Sequence, residues 1–338
     1  MKPIKLGIIG CGIAARELHW PALRKLKDMF EISVVCNHTE PKARDFSKML
    51  GNVPYVLDYR ELIKRPDVEA VDITLPIHLH YQVTKDALQA GKHVIVEKPL
   101  AANLSEARSM VQFESQYPQV KMVAENFRYR SCFRRLKEYM DQGRIGKPYA
   151  TFWNIFALID SDNIYAQTKW RMYHQYPGGF ITDAGIHYIA ALRYMFGDIV
   201  SGNTFTKSIN PDIGRVDSMS FQFTTTSNVS GVWNIFMSAN GFSEDGILIY
   251  GTQGSVLAVQ IGETFGNTKI TIQKNGITEL KEIIENDTGF QEEFKDFYQA
   301  VRTDQKVISS FSEAYRDLQV VIKALDSANR WHDFGLDS

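Results

Sequence analysis

The sequence predicts an α/β protein with two domains, and three observations carry this prediction. In residues 1–124, short apolar runs alternate with helical patterns, which is typical of a parallel sheet covered on both faces. In residues 125–338, segments of alternating polarity separated by turn pairs such as Asn240-Gly241 and Asn275-Gly276 predict a large, mostly antiparallel, open sheet. The length of 338 residues leaves room for two hydrophobic cores.

The elements of the first domain follow from the alternating patterns. Gly51 and Gly91 stand where two helices should end, because glycine adopts the left-handed conformation of a helix C-terminus at little cost. Pro21 is expected in the first turn of a helical segment, where its missing N–H group is not needed. The predicted strands are 4–9, 32–36, 70–75, 93–96 and 120–123, and the predicted helices are 23–30, 41–50, 59–64, 80–90 and 104–117.

The second domain is predicted to have two helices near its start, two at its end and a series of strands between them. A break at Pro177-Gly178-Gly179 precedes the second of these helices. The predicted helices are 131–142, 179–196, 290–303 and 312–330, and the predicted strands are 149–158, 218–225, 231–237, 246–250, 255–260 and 268–273.

A glycine-rich turn, Gly10-x-Gly12-x-x-Ala15, directly follows the first predicted strand. In a dinucleotide-binding turn, the first glycine allows the tight bend, the second lets the backbone approach a pyrophosphate, and a small third residue lets helix and strand pack closely. The start of the following helix would offer free N–H groups to the phosphates. We therefore predict a dinucleotide site that includes Gly10, Gly12, Ile13 and Ala14, although such a turn can also be purely structural.

The second strand ends in Asn37-His38-Thr39, where many NAD-specific folds carry an acidic residue that binds the ribose 2′-hydroxyl. A neutral residue at this place removes repulsion against a 2′-phosphate. Lys42 and Arg44 lie nearby in the sequence and add positive charge. The pattern favours NADP as the cofactor and remains compatible with NAD.

The segment Glu97-Lys98-Pro99 follows an apolar strand and therefore falls at the carboxyl end of the predicted parallel sheet. Ligands bind at that edge in open α/β folds. A lysine there can hydrogen-bond a substrate hydroxyl and favour its alkoxide. A solvated Glu-Lys pair is the alternative interpretation.

Asp183 and His187 are spaced i, i+4 in a predicted helix and would share one helix face. A histidine with a nearby carboxylate suits general acid–base chemistry near neutral pH. The alternative is a structural pair. Gly185 lies between them, and since glycine inside a helix costs about 1 kcal/mol relative to alanine, it suggests close approach by a ligand or a neighbouring backbone.

Composition narrows the class of protein. With 38 basic and 39 acidic residues the net charge is −1, which gives no reason to expect nucleic acid or a membrane surface as a partner. No apolar run approaches the roughly 20 residues of a membrane span and no signal peptide is apparent, so we expect a cytosolic protein. The three cysteines lack metal-ligand spacing, and His78-x-His80 has no supporting ligands, so no metal site is predicted.

Residues 127–135 interleave four arginines with three aromatic residues, a pattern also found in proteins that bind single-stranded nucleic acid. The balanced overall charge argues against that function. We expect contacts between domains or with a substrate phosphate, or a solvated helix face.

These segments together closely resemble the glucose–fructose oxidoreductase, inositol dehydrogenase and rhizopine-catabolism (GFO/IDH/MocA) family over nearly the whole chain. The resemblance rests on an ordered set of motifs: the glycine-rich turn, Thr74-Leu75-Pro76-x-x-x-His80, Glu97-Lys98-Pro99, Glu125-Asn126-Phe127-Arg128 and the segment from Gly178 to His187. It implies an N-terminal Rossmann domain, a C-terminal domain whose open sheet joins subunits into a homodimer or homotetramer, and NAD(P)-dependent chemistry on a carbohydrate-like small molecule.

The resemblance also implies roles for individual residues. Lys98 would lie beside the nicotinamide, with the peptide bond into Pro99 often cis, and Asp183 and His187 would line the substrate pocket. The residues expected to edge the cofactor are Asn37, His38, Thr39, Thr74, Leu75, Pro76, His80, Glu97, Lys98 and Asn126, and those expected to border the substrate are Trp170 and Arg171.

In the mechanism that this placement implies, His187 takes the hydroxyl proton, Lys98 stabilises the alkoxide, and Asp183 binds a hydroxyl or orients His187. Two alternatives stay open: an NAD-dependent glycosidase that oxidises a sugar transiently, and a non-enzymatic cofactor sensor. Pro177 and Ala190 stand where many family members have glycine and aspartate, so the substrate of any one relative does not transfer.

Overall fold

The structure is a computed structural model that describes residues 1–172, 176–210, 213, 216–262 and 265–330. Contacts divide the chain into two compact units. The first contains Met1–Tyr129 and Thr288–Leu318, and the second contains Arg130–Asp287 and the residues from Gln319 onward. The predicted division after residue 124 lies close to the passage from Tyr129 to Arg130, but it does not include the return of residues 288–318 to the first unit.

The first unit is built on a six-stranded parallel sheet in the order β3-β2-β1-β4-β5-β6. The chain adds strands on one side of β1 and then on the other, so the order reverses between β1 and β4. This is the Rossmann-like arrangement, in which ligands bind at the carboxyl ends of the strands beside the reversal. The strands are β1 Ile4–Ile9, β2 Phe30–Cys36, β3 Tyr55–Val56, β4 Ala70–Ile73, β5 His93–Glu97 and β6 Lys121–Ala124.

The helices of the first unit agree with the prediction except near the N-terminus. The predicted helix 23–30 is wrong, because Phe30 already begins β2 and the chain before it forms turns. The buried Leu23, Leu26 and Phe30 have helix-like spacing because these turns pack into the core. The helices are a π-helical segment Ala14–His19 continuing into Trp20–Leu23, then Glu40–Met49, Tyr59–Ile63, His80–Gln89, Leu104–Gln116 and Phe290–Thr303.

The second unit contains an eight-stranded sheet in the order β14-β13-β12-β11-β7-β10-β9-β8. Its neighbours are antiparallel except for β7 and β10, which are parallel, so the predicted mostly antiparallel sheet is confirmed. The strands are β7 Pro148–Phe156, β8 Ile199–Lys207, β9 Ser218–Thr225, β10 Ser230–Phe236, β11 Glu244–Gly251, β12 Gly254–Gln260, β13 Thr268–Lys274 and β14 Ile277–Ile284.

The two faces of this sheet differ in burial. Side chains such as Trp153 and Ile247 are buried, whereas their neighbours Phe152 and Tyr250 are exposed on the other face together with Leu257. The strand alternation thus produces one core face and one apolar open face. Helices of this unit include Ser131–Asp141, Lys169–Met172 and Gly179–Phe196, and Phe311–Asp326 spans the boundary between the units in the sequence.

The helices within the described ranges were also compared with the length and hydropathy that a bilayer requires. None of them is long and apolar enough to cross a membrane.

Candidate active site

The glycine-rich turn follows β1 and lies at the reversal of strand order in the first unit. Gly10 has a φ of +108°, and a Cβ there would lie 2.5 Å from the carbonyl oxygen of Thr74. Thr74, just after β4, donates its hydroxyl to the Gly10 carbonyl at 2.9 Å. At Gly12, by contrast, a Cβ would meet no atom within 4 Å. The backbone conformation and the neighbouring Thr74 therefore require glycine at position 10, whereas Gly12 faces open space that a ligand can enter.

The segment after this turn begins a helix without a side-chain cap. Ile13 is the N-cap residue of Ala14–His19 and supplies no side-chain hydrogen bond, and Ala15 is fully buried against the sheet. An uncapped helix start offers N–H groups and a partial positive charge to a phosphate. The open Gly12, the uncapped start and the buried Ala15 fit a dinucleotide pyrophosphate.

Asn37 supports the glycine-rich turn from the end of β2. Its Oδ1 accepts the Cys11 N–H at 3.2 Å, and its Nδ2 donates to the Thr39 carbonyl at 3.2 Å. His38 is exposed. The amide of Asn37 is thus occupied by the backbone, which leaves His38 and Thr39 as the more accessible of the three residues.

Positive charge also gathers beside this turn. Burial raises the pKa of the Cys11 thiol to about 12, against the opposing charges of Arg16 and Lys42. The Nε of Arg16 is buried without a hydrogen-bond acceptor. Arg16 was not predicted from the sequence, and it adds an unsatisfied donor beside the glycine-rich turn.

His80 links two of the predicted motifs. Its Nε2 lies 2.9 Å from the Leu75 carbonyl and its Nδ1 lies 2.9 Å from the Pro99 carbonyl. The side chain is fully buried, and burial lowers its pKa. A neutral ring donates to only one carbonyl at a time. His80 therefore holds the Leu75-Pro76 and Pro99 segments together, and direct contact with a cofactor would require rearrangement.

The Glu97-Lys98-Pro99 motif begins at the last residue of β5, and its Lys98–Pro99 peptide bond is cis. The buried Glu97 accepts the backbone N–H of Lys98 on Oε2 at 3.0 Å. Lys98 itself is partly exposed. The backbone that carries Lys98 is therefore held by a hydrogen bond to a buried carboxylate.

His19, which was not predicted, contacts that carboxylate from the helix after the glycine-rich turn. It is fully buried, with Nδ1 2.9 Å from Oδ2 of Asp72 and Nε2 3.0 Å from Oε1 of Glu97. Asp72 lies in the middle of β4, between Val71 and Ile73. An aspartate inside an apolar strand is rarely buried without a partner, and that signal could have revealed the pair.

Asn126 and the arginine-rich segment have structural partners. Asn126 donates to the Thr288 carbonyl at 2.6 Å within the first unit. Arg128 is buried and bonds both carboxylate oxygens of Asp317 at 2.7 and 2.8 Å. In the second unit Arg130 is buried and donates to the Asp287 carbonyl at 3.0 Å. The expected contact of these two arginines with a substrate phosphate is not supported.

The second unit brings three of the predicted residues together in an arginine–aspartate cluster, formed by Trp170, Arg171, Tyr176 and Asp183. The Nε of Arg171 donates to Oδ2 of Asp183 at 2.7 Å, and its guanidinium carbon lies 4.1 Å from the Trp170 ring centre. Tyr176, which sequence reasoning missed, is buried beside Trp170. Burial and the charge of Asp183 raise the pKa of Tyr176.

His187 lies one turn after Asp183 in the helix Gly179–Phe196, and it is partly exposed. Between them, a Cβ on Gly185 would lie 2.8 Å from the Trp233 ring. The glycine is therefore explained by close packing of the helix on β10. Its presence no longer argues for a ligand.

Two sequence matches cover most of the chain. Residues 4–125 match the GFO/IDH/MocA oxidoreductase family with its NAD-binding Rossmann fold, and residues 133–257 match the GFO/IDH/MocA C-terminal domain. The chain belongs to this family of NAD(P)-dependent oxidoreductases.

Individual relatives agree with this assignment. An uncharacterised protein of Saccharomyces cerevisiae is 30% identical over 90% of both chains. The scyllo-inositol 2-dehydrogenase (NADP⁺) of Bacillus subtilis is 29% identical over 57% of this chain and 52% of its own. A crystal structure of an oxidoreductase from Thermotoga maritima, 34% identical over 96% of both chains, superposes with a TM-score of 0.88.

Proposed function

We propose that this protein is an NADP-preferring oxidoreductase that transfers hydride between the nicotinamide and a hydroxyl-bearing carbon of a sugar, polyol or inositol. The observation that carries the proposal is Lys98, held by a buried carboxylate at the carboxyl end of β5 in a sheet with an open glycine-rich turn. The B. subtilis relative, named as an NADP⁺-dependent inositol dehydrogenase, supports this substrate class.

The preference for NADP rests on charge at the end of β2. None of Asn37, His38 and Thr39 is acidic, so no carboxylate there would repel a 2′-phosphate. Arg16 and Lys42 act on the same region, and Arg16 has an unsatisfied Nε. A 2′-phosphate would pair with this positive charge, whereas a ribose hydroxyl would leave more of it unpaired.

The chain's own residues supply the proton chemistry. When bound, the nicotinamide accepts or returns a hydride at its C4 atom. In oxidation, His187 accepts the proton of the substrate hydroxyl as the carbon–hydrogen bond breaks and the carbonyl forms. Lys98 stabilises the negative charge that develops on the oxygen. Asp183, paired with Arg171, binds a neighbouring hydroxyl, and Trp170 borders the substrate.

We also propose that the open face of the second unit's sheet joins subunits into a homodimer or homotetramer. Phe152, Tyr250 and Leu257 are large apolar side chains exposed on that face. Exposed apolar patches of this kind mark association surfaces. Small-molecule chemistry and self-association are thus assigned to different surfaces of the chain.

The test is a fluorescence titration with NADPH and NADH, followed by a turnover screen on inositols, polyols and aldoses. We expect tighter binding of NADPH, turnover on at least one polyol or sugar, and loss of turnover in Lys98→Ala and His187→Ala. Lys64→Ala, which changes an exposed lysine, is the matched control. Tighter NADH binding would contradict the NADP preference, and unchanged turnover in Lys98→Ala would contradict the assignment of the reaction.

A further inference from the structure

We propose that His19 is a positioning residue for Lys98: a buried, doubly protonated imidazole joins Asp72 to Glu97, and Glu97 in turn fixes the backbone of Lys98. The inference rests on the proposed function for the role of Lys98. It goes beyond that function by assigning a role to the fully buried His19 and Asp72 and to the carboxylate of Glu97.

The contacts run without interruption from Asp72 through His19 and Glu97 to the backbone of Lys98. Nδ1 of His19 lies 2.9 and 3.1 Å from the two carboxylate oxygens of Asp72. Nε2 lies 3.0 Å from Oε1 of Glu97, an ion-pair distance without the alignment of a full hydrogen bond. The other oxygen of Glu97 accepts the Lys98 N–H. A ring with a carboxylate on each nitrogen donates to both only when both nitrogens carry protons.

The residues around His19, Asp72 and Glu97 exclude water from these contacts and restrict the movement of the side chains. His19 and Asp72 have no exposed surface, and Glu97 is buried. Phe294 packs edge-on against the imidazole with ring centres 5.2 Å apart, and Phe290 lies at 6.0 Å. Because charges separated from water interact strongly, a cationic ring between two carboxylates is much better satisfied than a neutral one.

The titratable groups around the ring support its charge. Burial alone disfavours the charged imidazole, but the charges of Asp72 and Glu97 and the hydrogen bond to Asp72 outweigh burial and raise the pKa of His19 well above its usual range. Glu293, from the helix Phe290–Thr303, and Glu125, after β6, are the further acidic groups of the cluster. Burial raises the pKa of Glu293 well above its usual range, which favours the neutral form of that carboxyl.

This arrangement acts on the reaction through geometry. Loss of the Glu97 charge or of His19 would release the peptide that carries Lys98 without removing the lysine itself. A displacement of about 1 Å at a reacting group can cost on the order of a hundredfold in rate. The expected defect is therefore in kcat, while substrate KM and cofactor binding stay close to wild type.

The experiment combines ring spectroscopy with kinetics on the full-length protein. Nitrogen-15 NMR of the histidine rings, with His19 assigned from a His19→Gln variant, reports its protonation without cofactor or substrate. We expect a doubly protonated ring from about pH 6 to 9, where an ordinary histidine of pKa about 6.5 loses its proton. A ring that titrates near that ordinary value would overturn the proposal.

Glu97→Gln then tests the link to Lys98, since it keeps the shape of the side chain and removes its charge. We expect kcat to fall at least about tenfold with KM and the NADPH dissociation constant within about twofold of wild type, and the Lys98 amide to exchange faster with deuterium. Glu292→Gln, next to the cluster on the helix surface, is the matched control.

The outcomes separate the two proposals. If Lys98→Ala loses turnover but Glu97→Gln keeps wild-type kcat and amide exchange, the positioning role of His19 is wrong and the proposed function stands. If Lys98→Ala turns over normally, the proposed function is wrong. The NMR result would still decide whether His19 carries the buried charge, even if the Glu97→Gln variant failed to fold.

Discussion

The nucleotide-binding part of the first unit and the arginine–aspartate cluster of the second unit are built in opposite ways. In the first unit, Thr74, His80 and Glu97 are buried, and each bonds backbone groups at the ends of parallel strands. In the second unit, Arg171 stands on the short helix Lys169–Met172, and its partners are the side chains of Trp170 and Asp183.

We interpret this difference as a separation between the proposed hydride-transfer chemistry of the first unit and the proposed substrate selectivity of the second. Strand ends and buried charges hold the backbone of Lys98 in a fixed position, as hydride transfer to one defined carbon requires. A cluster of side chains next to a connecting segment can change its shape with few substitutions. We therefore expect changes in the first unit to alter stability, cofactor binding or kcat, and changes in the cluster to alter KM.

The largest expected contrast is between two glycines of the same turn. Gly10→Ala should lower the free energy of unfolding by about 2–4 kcal/mol, because its backbone is left-handed and the added Cβ would overlap the Thr74 carbonyl. Gly12→Ala should change stability by less than about 0.5 kcal/mol and weaken NADPH binding at least about tenfold. Chemical denaturation and fluorescence titration measure both effects. Equal effects of the two substitutions on either quantity would contradict this division, in which Gly10 serves stability and Gly12 serves cofactor binding.

Arg171→Lys tests the cluster directly. Lysine keeps the charge but loses the Nε bond to Asp183 and the planar stacking on Trp170. KM for the substrate should rise about tenfold, while the NADPH dissociation constant stays unchanged. Arg135→Lys, an exposed pair with Glu138 in the same unit, is the control. A fall in kcat at constant KM would instead place Arg171 in the chemical step.

Arg16→Gln tests whether the positive charge beside the glycine-rich turn favours NADPH over NADH. We expect NADPH to bind about tenfold more weakly and NADH to bind as before, since only the 2′-phosphate needs the extra positive charge. Arg24→Gln, at an exposed position of the same unit, should affect neither. Equal weakening of both cofactors would assign Arg16 to a phosphate that the two cofactors share.

The smallest effect concerns Glu293 and pH. Its pKa is raised in the folded protein above the unfolded value of about 4.3, so the folded state holds an additional proton between these two values. Wild-type stability therefore declines as pH rises through that window, whereas Glu293→Gln cannot ionise. The difference in Tm should shift by a few degrees in favour of the variant between about pH 5 and 8. A difference independent of pH would mean that the pKa of Glu293 is not raised in the folded protein.

The sequence predicted the elements whose signals are local. Five of the six strands of the parallel sheet and the helix Gly179–Phe196 are read from apolar runs and helical periodicity in contiguous residues. The two-residue edge strand β3 of that sheet was missed. The strands β8 and β14 were missed. They form the two edges of their sheet and carry residues such as Gly202 and Lys281 that weaken a strand pattern.

In the candidate site, too, contiguous motifs were predicted and contacts between distant residues were not. The glycine-rich turn and the Glu97-Lys98-Pro99 motif are contiguous, so their positions at strand ends could be predicted. His19, Asp72 and Glu293 come from three separate elements, and only the fold brings them to one buried cluster. The reason for Gly185 was also misjudged, because its neighbour Trp233 lies far away in the sequence.

We propose that Lys98 serves hydride transfer on a carbohydrate-like alcohol. The most direct measurement is the formation of reduced nicotinamide from NADP⁺ with a panel of inositols, polyols and aldoses, for the wild type and for Lys98→Ala after both have been shown to bind NADPH. We expect turnover on at least one compound by the wild type and a loss of about a thousandfold in the variant. Equal turnover by the two proteins, or cofactor binding without turnover on any compound, would contradict it.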